Sequence, residues 1–92
     1  MTTPKFQLET SVDDKTGRVV AAYLRVREGE VAKTKEVKEG AAYADYDSQG
    51  LLLGIELLAP CQVAVLDKIA QGEPDPVKQF LRGSPPRELV PA

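Results

Sequence analysis

The acidic side chains of one short segment have the types and spacing that bind a metal ion or move a proton. Asp45, Asp47 and Glu56, with Gly50 between them, come close to the spacing of a calcium-binding loop. Such a loop lies between two helices, whereas the residues on both sides here alternate between apolar and polar, as strands do. A turn explains Asp47 and Gly50 without an ion. We therefore expect solvated carboxylates, with no metal site and no cofactor.

The composition excludes most arrangements of catalytic residues. The chain contains no histidine, and therefore no imidazole base, no Ser-His-Asp triad and no histidine metal ligand. Its single cysteine, Cys61, follows Pro60 near the predicted start of a helix, a position that lowers the pKa of a thiol. No base stands beside it, and a buried cysteine that acts as a small apolar residue is commoner. We predict that the protein is not an enzyme.

The charges and apolar runs exclude further classes of partner. The chain has 12 basic and 14 acidic residues, and its basic run from Arg25 to Lys38 is interrupted by glutamates. This mixture is typical of a solvated surface and not of a nucleic-acid-binding protein. No apolar run is long enough to span a membrane, and the first residues do not resemble a signal peptide. A lone cysteine is typical of a reducing compartment, so we expect a cytoplasmic protein.

The elements that must position these residues begin with two hairpins. Apolar residues alternate on both sides of a turn at 13–17, and again on both sides of a turn at 47–50. In the first hairpin we expect residue 10 opposite residue 20, and in the second residue 42 opposite residue 55. Both registers place the apolar residues of the two strands on one face, as a hairpin requires.

A weaker strand is predicted at 31–38, where neither side is cleanly apolar. Lysines at 33 and 35 lie on one side of this strand. Lysines often protect the edge of a sheet from pairing with other chains. In a simple meander, however, the strand would be central and two lysines would face the core. The sequence leaves the strand order here open.

Helical spacing begins after Pro60. The recurrence of apolar residues predicts a first helix that ends near Gly72, and a second short helix that begins at Asp75 and ends at Gly83. We therefore predict a single α+β domain over residues 1–83. It contains a four- to five-stranded antiparallel sheet followed by one or two short C-terminal helices, and residues 84–92 form a flexible tail.

Several segments of the predicted sheet resemble the small bacterial domain of unknown function family 2283. The segments are AYLRV at 22–26, VAKTKEV at 31–37, YADYDSQG at 43–50 and LGIELL at 53–58. The resemblance covers about residues 8–58 and does not include the predicted helices. It implies a small β-rich fold with a C-terminal helix and no established activity. Some members are thought to be encoded beside candidate toxin genes, which implies an antitoxin-like role in binding a partner protein.

The two faces of the predicted sheet indicate a protein–protein interface. The first helix can cover one face, but the second face also carries more apolar side chains than a solvated face needs. We expect a second copy of the chain to cover it, and the second helix is the alternative cover. The interface would consist of Val19, Tyr23, Tyr43, Leu52 and Leu58.

The predicted function is therefore protein–protein contact in a homodimer. The alternatives are an antitoxin-like binder of a different protein and a protein that binds a small ligand or a metal.

Overall fold

A five-stranded antiparallel sheet followed by two helices forms the protein in a computed structural model, which describes residues 3–59 and 63–85. The elements are β1 (Thr3–Val12), β2 (Val19–Glu28), β3 (Lys33–Lys38), β4 (Ala42–Tyr46), β5 (Leu52–Leu58), α1 (Val63–Ala70) and α2 (Asp75–Gly83). The predicted α+β class is confirmed. The predicted helix start at Pro60, the Cys61 thiol and the predicted tail from residue 86 onward lie outside the described residues.

The order of the strands in the sheet is not their order in the sequence. The order is β1-β2-β5-β4-β3, so that β5, the last strand, lies at the centre. The lysine-bearing strand β3 is therefore an edge strand, and every side chain on it is exposed except the half-buried Val37. This order answers the question that the lysines left open, because their ammonium groups face solvent at an edge.

The first hairpin has the predicted face but not the predicted register. Thr10 pairs with Ala22 and not with Val20. The register is irregular between Ser11 and Val12, because Val12 pairs with Val19 and leaves Val20 as an extra residue of β2. The pairing beyond this bulge is shifted by two residues, an even number, so the apolar residues stay on one face.

The second hairpin is shifted in the same way, and here one face assignment changes. Ala42 pairs with Leu57 and not with Ile55, and an irregularity next to Tyr46 places Tyr46 opposite Leu52. The predicted position of Leu52 on the second face is wrong, because its side chain is only 2% exposed and belongs to the core cluster. The Arg27 guanidinium donates a hydrogen bond to the Leu52 carbonyl at 2.8 Å and thereby holds this end of β5.

The core lies between the sheet and both helices. Leu66 and Ala70 of α1 and Val77 and Leu81 of α2 belong to one cluster with residues of the sheet. Those sheet residues are Ala22, Leu24, Val26, Ala42, Ala44, Leu52, Ile55 and Leu57. Because both helices pack on the same face, α2 does not cover the second face. Among the described residues, no helix is long and apolar enough to cross a membrane.

Candidate functional site

The sheet face opposite the helices, called the open face here, carries an alternating row of acids and phenols. Cross-strand pairing aligns one residue from each of the five strands. From β1 to β3 the row consists of Glu9, Tyr23, Glu56, Tyr43 and Glu36. Neighbouring strands are about 4.8 Å apart, so each phenol stands between two carboxylates.

A second row on the open face is organised around a glycine of the central strand. The Tyr23 hydroxyl donates a hydrogen bond to Asp45 Oδ2 at 2.8 Å, and the Thr34 hydroxyl donates to Asp45 Oδ1 at 2.6 Å. Gly54 of β5 lies between β2, which carries Tyr23, and Asp45 of β4. A Cβ atom at Gly54 would overlap the Tyr23 ring. The missing side chain therefore lets Tyr23 reach from β2 over β5 to a carboxylate on β4.

Burial and neighbouring carboxylates raise the pKa values of the phenols on the open face. Burial, followed by the hydrogen bond to Asp45, raises the pKa of Tyr23 to about 12. The hydrogen bond with Glu36 is the main cause of the raised pKa of Tyr43, and the charge of Glu56 raises the pKa of both phenols. The Arg25 guanidinium lies 5.4 Å from the centroid of the Tyr23 ring and opposes this effect on Tyr23. The row, with its three carboxylates, therefore has a negative electrostatic potential.

The acidic residues with calcium-like spacing stabilise a turn and the sheet. Asp47 Oδ1 accepts hydrogen bonds from the backbone N–H groups of Gln49 and Leu51, both at 2.9 Å. Gly50 closes this turn with a φ of 85°, a conformation that favours glycine. Asp45 binds two hydroxyl groups, as described above. Within residues 3–59 and 63–85, no group of three or more His, Cys, Asp or Glu side chains is arranged to hold a metal ion.

The open face also contains a shallow cleft with a volume of about 400 Å³. Glu9, Ser11, Tyr23, Arg25 and Asp45 contribute to its walls. The Asp45 carboxylate is already engaged by two hydroxyl donors, and no imidazole exists in the chain to act as a base. The cleft therefore offers charged and aromatic surface for recognition.

The predicted interface residues are only partly brought together. Tyr23 and Tyr43 flank Glu56 in one row, while Val19 and Leu58 are half-buried nearer one end of the sheet. Leu52 lies in the core. Ala21 pairs directly with Leu58 at that end, and the next row of the open face carries Glu9, Glu56 and Glu36 between its tyrosines.

A different surface, called the β1 edge here, presents apolar side chains that the helices leave exposed. It comprises the outer backbone edge of β1, with which none of the other four described strands pairs, and the side chains of Phe6, Leu8 and Val12. Phe6 is 43% and Leu8 39% exposed, although Leu8 pairs with the core residue Leu24. The centroid of the Phe6 ring lies 5.1 Å from that of Phe80 in α2, so α2 covers β1 only in part. Alternation places these residues on the same face as the apolar residues of β2, and only the helix positions reveal that they are exposed.

No protein-family model matches the chain, and no curated protein and no solved structure matches it. The resemblance to the domain of unknown function family 2283 therefore stays a hypothesis that rests on the four short motifs.

Proposed function

We propose that this protein is not an enzyme and acts through protein–protein contact, with a second copy of the chain as its first partner. The observation that carries this proposal is the β1 edge. It combines a strand edge with which no other described strand pairs and large apolar side chains, Phe6 and Leu8, that are about two-fifths exposed. Apolar surface of this kind beside an open strand edge is typical of a site where another chain adds a strand.

The two edges of the sheet differ in their protection against pairing. On β3, Lys33, Lys35 and Lys38 occupy half of the six positions, which discourages contact with another strand. On β1, Lys5 and Glu9 are the charged residues in a strand of ten, and Lys5 forms a 2.8 Å ion pair with Glu28 of the neighbouring strand. An association between two copies is therefore directed to β1.

The open face is less suited to contact between identical copies. Its central row carries three carboxylates, and stacking two such rows would bring like charges together in a desolvated interface. For this reason the proposed homodimer uses the β1 edge and not the interface expected from strand parity.

The experiment is a measurement of mass by size-exclusion chromatography with light scattering, for the wild type and two variants. Leu8→Lys introduces a charge on the β1 edge, and Leu51→Lys is its matched control, because Leu51 is also 39% exposed but lies in a turn. We expect a dimer for the wild type and for Leu51→Lys, and a monomer for Leu8→Lys. A wild-type mass of one chain at high micromolar concentration would contradict the proposal.

The second candidate function is binding of a different protein. The row of glutamates and tyrosines on the open face favours this function. Carboxylates and tyrosine rings together attract lysine and arginine side chains. A basic partner protein would fit an antitoxin-like role. Native mass measurement after purification from the source cells is expected to reveal a heterologous chain, and Glu56→Lys is expected to release it. Retention of that chain by Glu56→Lys would place the contact elsewhere.

A further inference from the structure

We infer that the second copy pairs its own β1 antiparallel to β1 of the first, with Gln7 of both chains at the two-fold axis. This inference rests on the proposed self-association and specifies its geometry. The two five-stranded sheets become one continuous sheet of ten strands, and both helix pairs lie on the same side of it, because an axis perpendicular to the sheet preserves its faces.

The side chains next to Gln7 support this register. Antiparallel pairing about Gln7 places Phe6 opposite the partner's Leu8, and Leu8 opposite the partner's Phe6. Both side chains belong to the helix side, since Phe6 contacts Phe80 and Leu8 pairs with Leu24. Pairs of aromatic and aliphatic residues directly across two strands stabilise a sheet. The exposed apolar area of each copy is thus covered by that of the other.

The polar residues of the same segment are also complementary. Gln7 pairs with Arg25 and therefore belongs to the open face, where two copies of its amide can exchange hydrogen bonds across the axis. At the ends of the paired segment, Lys5 comes opposite the partner's Glu9, although the β1 register is irregular between Pro4 and Gln7 and the Lys5 ammonium also binds Glu28 of its own chain. A pair of opposite charges is favourable where a pair of like charges is not.

Neighbouring registers lose these matches. An axis at Leu8 pairs Leu8 with itself but places Phe6 opposite the partner's Thr10. An axis at Glu9 brings the two Glu9 carboxylates together and places Leu8 opposite the partner's Thr10. The axis at Glu9 also places Phe6 opposite the partner's Val12, but it sets two carboxylates against each other. Among these three, only the axis at Gln7 pairs Phe6 with Leu8 and opposite charges without a pair of like charges.

The inference can be tested with single cysteines in a Cys61→Ser background. Residues opposite their own copies have Cα atoms about 4.5–5.5 Å apart, within the range that a disulfide spans. Gln7→Cys is therefore expected to form a cross-linked dimer almost completely under oxidised glutathione. Ser11→Cys is the matched control on the same side of β1, and its two copies would be about 27 Å apart in this register.

The outcomes separate this inference from the proposed function. A dimeric parent that cross-links through Gln7→Cys and not through Ser11→Cys supports the register. A dimeric parent without cross-linking at Gln7, or with equal cross-linking at Ser11, overturns the register and leaves self-association standing. A monomeric parent overturns both.

Discussion

Gly54 shows, at the scale of single residues, how an absent side chain organises the open face. Its position on the central strand is directly beneath the Tyr23 ring, and the ring uses that space to bring its hydroxyl to Asp45. An aromatic ring over a strand glycine also shields the backbone that glycine leaves bare. The function of Gly54 is therefore close approach and not backbone freedom.

Replacing Gly54 with alanine is expected to lower the free energy of unfolding by about 1–3 kcal/mol, as overpacking does. The added methyl would lie within 2.7 Å of Tyr23 Cε2, so the ring must move and its hydrogen bond with Asp45 is lost. Urea denaturation measures the change. Gly72→Ala is the control, because among the described residues no atom beyond its chain neighbours lies within 4 Å of its Cβ position. In a Tyr23→Ala background the cost of Gly54→Ala is expected to vanish; an unchanged cost would mean that the ring is not the obstacle.

Of the three tyrosines in the chain, Tyr23 is expected to be the last to ionise in the folded protein. Its pKa is about 12 when folded, against 10.0 for an unperturbed tyrosine. Since the folded pKa is the higher one, the stability that this phenol contributes is complete below pH 10 and is lost as the pH rises towards 12. Phenolate absorbance followed during a pH titration measures this step. Tyr23→Phe should remove the step at highest pH, and Tyr46→Phe an earlier one; a Tyr23 step near pH 10 would be the contrary result.

The sequence allowed some of these residue-scale features to be predicted and hid others. Asp47 and Gly50 were assigned to a turn because their types determine its geometry locally. The contact between Tyr23 and Asp45 joins strands that are not neighbours, across a third strand, and no local pattern encodes it. It became visible only when the strand order was known.

At the scale of elements, α1 is held to the sheet by few large side chains. Leu66 is the largest fully buried residue that the helix contributes to the core cluster, and Ile69 packs against that cluster while partly exposed. A helix of eight residues has little stability of its own, so packing on the sheet must maintain it.

Leu66→Ala is expected to lower the free energy of unfolding by about 2–5 kcal/mol, because it leaves a cavity under the helix. Lys68→Ala, on the exposed side of the same helix, is expected to change it by less than about 0.5 kcal/mol. Chemical denaturation followed by circular dichroism compares the two. Equal effects of both substitutions would argue against the packing of α1 described here.

The registers of the hairpins mark the limit of prediction at this scale. Except at Leu52, alternation identified the faces of β4 and β5 correctly, because it depends only on parity. It did not locate the bulges near Val12 and Tyr46, each of which moves the pairing by one residue. Each turn is also one residue longer than predicted, so the pairing beyond each bulge is shifted by two residues. The second bulge also turned Leu52 inward, where Arg27 binds its carbonyl, and this long-range contact has no signature in the local pattern.

At the scale of the whole molecule, self-association links stability to concentration. A dimer that forms only from folded chains stabilises the folded state by mass action. The melting temperature of the wild type is therefore expected to rise by a few degrees across a hundredfold increase in protein concentration. Differential scanning calorimetry measures this shift. Leu8→Lys, which disrupts the β1 edge, is expected to melt at one temperature throughout, and a wild type that does the same would contradict the dimer.

The order of the strands has a consequence for synthesis on the ribosome. Because β5 is the last strand to be made and lies at the centre of the sheet, β2 and β4 have no common partner until residue 58 has been translated. Until then the pair β1–β2 and the pair β3–β4 each have an inner edge without a partner strand. The nascent chain therefore contains two separate two-stranded sheets. Insertion of β5 closes both edges in a single event, so the sheet is completed only after all five strands have been made, through contacts distant in sequence.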